Sequence, residues 1–147
     1  MNKATATHGP RGFECLCGNA RMAARALTSI YDQALQPAGL RAPQLAVLWA
    51  VVALPGRTVK SLAGTIAMDA TTLTRNLRLL ERDSLIELVE GTDRREREVH
   101  ATARGRRAFA KAMPLWEAAQ KQVERIAGRE ARELNRVLLA LSRSARQ

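Results

Sequence analysis

No stretch of this 147-residue chain is apolar over the roughly 18–20 residues that a helix needs to cross a bilayer. The first dozen residues, Met1 to Gly12, are polar and lack the apolar core of a signal peptide. The expectation is a soluble, cytoplasmic protein with no membrane partner. Cysteine is almost missing: Cys15 and Cys17 are the only two, too close in sequence for a structural staple, so no disulfide framework is implied. Histidine is as scarce, with His8 in the leading segment and His100 far from it. There is no Ser/His/Asp grouping, no pair of carboxylates in an apolar setting, no glycine-rich phosphate loop and no metal quartet. Those absences argue against an enzyme, a cofactor and a metal. Internal repeats and low-complexity blocks are absent too.

Acidic residues are also in short supply. Lys and Arg number 24 against 14 Asp and Glu, a formal charge of +10 and a pI near 11.1. Such an excess fits nucleic acid, an acidic partner or an anionic surface, and composition does not choose among them. Arginine far outnumbers lysine, which suits phosphate, because the guanidinium fork pairs two oxygens at once. Many arginines after residue 103 fall on helices that need not face nucleic acid, and part of that charge is read as solvated surface. The length fits one domain, or a small domain with added helices for pairing.

What is present is periodicity. From Phe13, apolar residues recur at steps of three and four (Leu16, Cys17, Ala20, Ala23, Ala24, Leu27, Ile30, Tyr31, Ala34), one stripe of a long helix that Pro37 and Gly39 end. A second helix spans about 43–54, with Leu45, Leu48, Trp49 and Val52 as its stripe and enough other apolar residues to be largely buried. Thr58 caps a short third helix to about residue 67. Asp69 caps a fourth over 70–82, where its carboxylate accepts from free amides and meets the positive helix end. Leu73, Leu77 and Leu80 form the core stripe of that helix. The period then changes to two, giving strands at about 86–90 and 97–101 around a polar, arginine-rich turn. Thr102 caps a long fifth helix, in which Pro114 is expected to cause a bend or local loosening. A final helix covers about 130–145.

Two short helices followed by a two- or three-stranded β wing make a winged helix-turn-helix within a mainly α chain. The expected organisation is a disordered tail at 1–12, a DNA-binding lobe at 55–102, and dimerisation helices at 13–54 and 103–147. The end helices carry more apolar stripe than so small a lobe can cover, and left bare they would form a large exposed patch. The simplest remedy is a two-fold homodimer through the first, fifth and sixth helices; the alternative is a monomer whose ends fold back.

The fourth helix has a second face. Ala70, Thr71, Thr72 and Thr74 near its start are small enough to approach base edges, and the threonines can hydrogen-bond or meet a thymine methyl. Arg75, one turn after Thr71, can reach guanine in bidentate fashion or hold a phosphate. Arg78 fits phosphate contact or plain solvation equally, and Ser61 and Lys60 fit backbone contact or an ordinary exposed face. On the wing, Asp93, Arg94 and Arg95 form the tip. Arginine gains from the negative potential of a narrow minor groove, with Asp93 as a brace. The partner implied is double-stranded DNA. A winged helix can also be a protein-interaction module, but these polar residues lack the aromatic or aliphatic anchors of a protein-binding face.

Several segments, in order over about residues 13–125, resemble the MarR family of bacterial transcriptional regulators. They are Gly39-Leu40-Arg41-Ala42-Pro43-Gln44-Leu45, Leu62-Ala63, Asp69 to Leu77, Leu80 to Ile86, Asp93-Arg94-Arg95 and Thr102-Ala103-Arg104-Gly105. Ser84 departs from the family's usual glycine, a change expected to cost little. The resemblance implies a triangular homodimer, recognition helices in successive major grooves, and wings in the flanking minor grooves. Its wing pattern favours Arg95 as the groove reader. It also implies an effector pocket between lobe and dimerisation helices, often for an aromatic acid. Tyr31, Trp49, Met113 and Trp116 lie on the relevant stripes, with Arg21 or Arg25 to pair a carboxylate, although ordinary core explains each aromatic. The regulator is then expected to be a repressor that a small effector releases from a pseudopalindromic operator.

The alternative sensor is redox. Leu16-Cys17 looks like the cysteine site of the family's organic-hydroperoxide-sensing branch, with Tyr31 at its tyrosine position but Ala42 in place of its second tyrosine. A metal shared by Cys15 and Cys17 is disfavoured, because residues two apart on a helix point about 200° apart.

Overall fold

The computed structural model describes residues 15–66, 68–91 and 95–144. Six helices and three short strands follow one another as α1 (Leu16–Leu35), α2 (Ala42–Ala53), β1 (Arg57–Thr58), α3 (Val59–Ile66), α4 (Ala70–Arg82), β2 (Ile86–Glu90), β3 (Arg97–Ala101), α5 (Ala103–Ala127) and α6 (Ala131–Ser144). No helix among the described residues is long and apolar enough to cross a membrane.

α2 is the central post. Gln44, Leu45, Val47, Leu48, Ala50 and Val51 are all buried, so more than half of its circumference faces protein, while Ala46, Trp49 and Ala53 leave one side open. Its start is capped from a distance: Asp32 on α1 accepts from the Ala42 amide at 2.7 Å, and Gln44 accepts from the Arg41 amide at 2.9 Å. Two orphan amides are thereby satisfied. Leu62 of α3, Leu73, Leu77 and Leu80 of α4, Ile86 of β2 and Val99 of β3 close around the post in one core that also takes in Leu35 and Ala112.

The sheet is antiparallel in the order β1-β3-β2, with Leu88 opposite Val99 and Arg57 also opposite Val99 on the other side. β1 is the third strand, too short to show a period in sequence. Thr58 still caps α3, accepting from the Ser61 amide at 3.2 Å, while pairing with Glu98. α5 runs unbroken through Pro114.

The turn that ends α4 locks it to α5. The Ser84 amide donates to Glu81 and the Leu85 amide to Leu80, closing a Schellman motif with Ser84 as the left-handed residue, φ 57°. Glycine takes that conformation without steric cost and serine does not, so the substitution costs more than the sequence reading supposed. Leu85 then accepts from the Thr102 amide at 3.1 Å. A Cβ on Gly105 would lie 1.9 Å from the Leu85 carbonyl oxygen, so only glycine fits this crossing.

The outer helices leave their apolar stripes largely uncovered within one chain, as the excess of stripe over lobe led one to expect. α1 begins at Leu16, with Cys15 as its N-cap, and buries only Leu35; Phe13 lies outside the described residues. α6 has no buried residue.

Candidate nucleic-acid interface

α4 presents two faces. Leu73, Asn76, Leu77 and Leu80 are buried. At the opposite steps, Ala70, Thr71, Thr74, Arg75 and Arg78 are exposed and line one open concavity of about 670 Å³. The N-terminus is well made: the Asp69 carboxylate accepts from the Thr72 amide at 2.9 Å. Hydrogen bonds from the Thr72 side chain and backbone hold that carboxyl below its ordinary range. Asn76 anchors the buried side, donating to the Thr72 carbonyl at 2.9 Å. The face therefore rests on a fixed first turn.

The candidate residues are not equivalent. Thr72 is half-buried beside its cap, so it stands apart from the exposed face. The Thr74 hydroxyl donates to the Ala70 carbonyl at 2.7 Å, which leaves its oxygen to accept and its methyl to make contact. Thr71, Arg75 and Arg78 are exposed. Arg82, one turn on, is drawn aside by Asp83 at 3.0 Å. On α3, Ser61 is half-buried and Lys60 exposed.

On the wing, Asp93 and Arg94 lie outside the described residues, and Arg95 is exposed beside them. The strands below the tip are braced by Arg97, which donates to the Leu88 carbonyl at 2.9 Å. Sequence reasoning missed this brace, because an arginine on an alternating strand reads only as an outward charge.

Of the residues assigned to an effector, Tyr31 and Trp116 pack against the same core and Trp49 against Trp116, whereas Cys17 and Arg21 stand apart from them. Trp49 meets Trp116 and Phe109 edge to face, with centroids 5.2 and 5.8 Å apart, and Met113 is half-buried on the same helix as Trp116. Tyr31 donates to Gln120 on α5, and burial, then the nearby Glu124, raise its phenol above the ordinary value. Cys17 and Arg21 are exposed near the start of α1. Cys17 lies 14 residues before Tyr31, about 21 Å along a helix. Cys17 is thus neither a buried core residue nor a neighbour of Tyr31 in the same chain; a common stripe does not bring side chains four turns apart together. Cys15 lies just outside the helix and accepts from the Gly18 amide through sulfur at 3.5 Å.

No protein-family model and no curated protein matches the chain. Among solved structures it is similar to the M. tuberculosis transcriptional regulator MosR in complex with DNA. Identity is 39% over 90% of this chain and 96% of that one, with a TM-score of 0.81. The transcriptional repressor CouR, bound to a 23-mer DNA duplex, shares 24% identity over 89% and 94% of the two chains, TM-score 0.77. A MarR-family regulator from Rhodococcus sp. RHA1 shares 20% over 86% and 91%, TM-score 0.74. The last two bear on the fold, whereas the first is near enough in sequence to establish kinship. With the two-faced α4, the three-stranded wing and that kinship together, the chain belongs to the MarR family of transcriptional regulators, which are not enzymes.

Proposed function

We propose that the chain is a homodimeric, sequence-specific DNA-binding regulator that acts as a repressor and is released from a pseudopalindromic operator by a small organic effector. The observation that carries this reading is the outer face of α4, where Thr71, Thr74, Arg75 and Arg78 stand exposed opposite a leucine stripe held in the core. Small groups near the helix start suit base edges, and arginine suits guanine or phosphate. MosR, 39% identical, was solved on DNA. In this reading Ala70, Thr71, Thr74 and Arg75 read bases, Arg78 and Ser61 lie along the backbone, and Thr72 supports the first turn. Arg95, with Arg94 and Asp93, serves the minor groove.

The dimer reading rests on exposed leucines. Leu134, Leu138 and Leu141 of α6 are 48, 41 and 57% exposed, and Leu16 of α1 is 81% exposed. Residues 55–102 then form the reading lobe, and 13–54 with 103–147 the pairing region. An effector of aromatic-acid type would enter beside Trp49, Met113 and Trp116, with Tyr31 near and Arg21 contributed across the two-fold. A second reading is favoured by one observation: Cys15 and Cys17 are both exposed thiols. In it, a hydroperoxide oxidises Cys17 and is reduced to the alcohol, and the oxidised chain leaves DNA.

Selection of bound fragments from random duplex DNA tests the main reading. The expected product is an inverted repeat with half-sites about one helical turn apart. Retention of every sequence alike at about 0.15 M salt would overturn it. Adding benzoate-type acids or cumene hydroperoxide to the selected complex separates the two release routes, and loss of peroxide release in Cys17→Ser marks the second.

A further inference from the structure

α5 carries a second basic group away from the α4 face. Arg104, Arg107 and Lys111 follow at steps of three and four, so they share one side of the helix and span about 10 Å of its axis. All three are exposed, and all three line a cavity of about 320 Å³. Its floor is apolar: Ala38 before α2, Leu85 after α4, and Ala108 of α5. Asp83 supplies the acid in the wall, and Arg82 already engages its carboxylate at 3.0 Å. Among the described residues, the side chains of Arg104, Arg107 and Lys111 make no ion pair or hydrogen bond. The neighbouring Arg106 is turned away, donating to the Ala101 carbonyl at 2.6 Å.

Like charges at these spacings repel, an effect that water and salt weaken and that a bound anion would reverse. A solvated surface carries no need for a concave apolar floor. The frame is also rigid. Thr102 donates through its hydroxyl to the Ser84 carbonyl at 2.8 Å, and Gly105 sits against the Leu85 carbonyl with no room for a side chain. The first turn of α5 is therefore fixed beside a hollow at the low end of small-ligand volumes, with the three cations around its rim.

We propose that this cavity binds a small organic polyanion, with two or more carboxylate or phosphate groups on a compact carbon frame, through Arg104, Arg107 and Lys111. The carbon frame covers Ala38, Leu85 and Ala108, while the anionic groups span the three cations. Because the floor joins the end of α4 to α5 and to the lead-in of α2, such a ligand ties the reading helix to the long helix behind it.

Calorimetric titration of the full chain, without DNA, with citrate and separately with fructose 1,6-bisphosphate at about 0.15 M salt tests the site independently of the DNA reading. The expected result is saturable binding of at least one probe, one per chain. It should weaken tenfold or more in Arg104→Gln/Arg107→Gln and vanish in Ala108→Glu, while Arg125→Gln/Arg129→Gln binds as the parent does. Citrate alone would mark a carboxylate ligand and the bisphosphate alone a phosphate ligand; either supports the proposal. Should the double variant melt early, Arg107→Gln is read in its place. The proposal is overturned if neither probe saturates, if sodium sulfate at equal ionic strength gives the same heat, or if the α5 variants bind undiminished. It is also overturned if Arg104→Gln/Arg107→Gln instead weakens all duplex DNA alike and flattens the salt dependence, since the cations would then serve the DNA backbone.

Discussion

α4 and α6 are helices of similar length, each with a stripe of leucines at helical spacing, yet they do opposite things. In α4 the stripe is consumed inside the chain: Leu73 and Leu80 have no exposed surface. In α6 the stripe of Leu134, Leu138 and Leu141 is displayed. The same period therefore marks a helix that positions a polar face in one case and a helix that offers an apolar face in the other. What distinguishes them is the turn chemistry around them. α4 has a carboxylate cap at one end and, at the other, a Schellman turn tied to the start of α5 through Thr102; α6 follows a single 3-10 turn, Gly128–Glu130.

Substitutions break this contrast in order of size. Gly105→Val forces a Cβ into the Leu85 carbonyl and should destabilise the lobe by about 3 kcal/mol or more, beyond ordinary overpacking, as read by urea unfolding. Leu138→Glu/Leu141→Glu should leave the lobe's melting intact but remove about 3–5 kcal/mol of apolar burial per proposed pairing surface, so light scattering should report a dimer for the parent and a monomer for the variant. Arg75→Ala should cost roughly 1–3 kcal/mol in operator binding and relax preference at one base position, measured by titration against single-base operator variants. Arg95→Ala should act mainly on operators with A/T-rich flanks; equal loss on every flank would reassign it to phosphate. Ser84→Gly runs the other way, stabilising by about 1 kcal/mol through relief of the left-handed serine, measured by thermal unfolding.

The smallest effect concerns pH. The folded Asp69 carboxyl sits below its ordinary range, so its contribution is complete above the unfolded pKa, near 3.9, and is lost as pH falls through the lower folded value. Asp69→Asn should flatten that part of the acid limb while leaving stability at neutral pH only slightly reduced, because asparagine caps nearly as well.

How much of this was legible in the sequence follows from the same contrast. α4 could be read almost residue by residue, since Asp69 announces its start and Leu73, Leu77 and Leu80 fix which side faces in. The strands at 86–90 and 97–101 were visible because alternation over five residues is a clear signal. β1 was not, since two residues have no period. Nor was the Asp32 cap of α2, which joins residues ten apart through the fold. The effector set was only partly legible for a related reason: helical spacing puts Cys17 and Tyr31 on one stripe of α1 but does not say that they lie four turns apart. The basic hollow on α5 escaped because its floor comes from three separate segments, and a linear reading shows only arginines.

Gly105 has a mechanical meaning. α5 is gripped at its first turn by the segment that ends α4, and its 25 residues make a rod of about 37 Å. A rod clamped so close to one end amplifies: a tilt of about 5° at the clamp swings the opposite tip by about 3 Å. Motion imposed at the tip returns to the clamp as torque rather than slippage, because no side chain lies between the two backbones to act as a bearing.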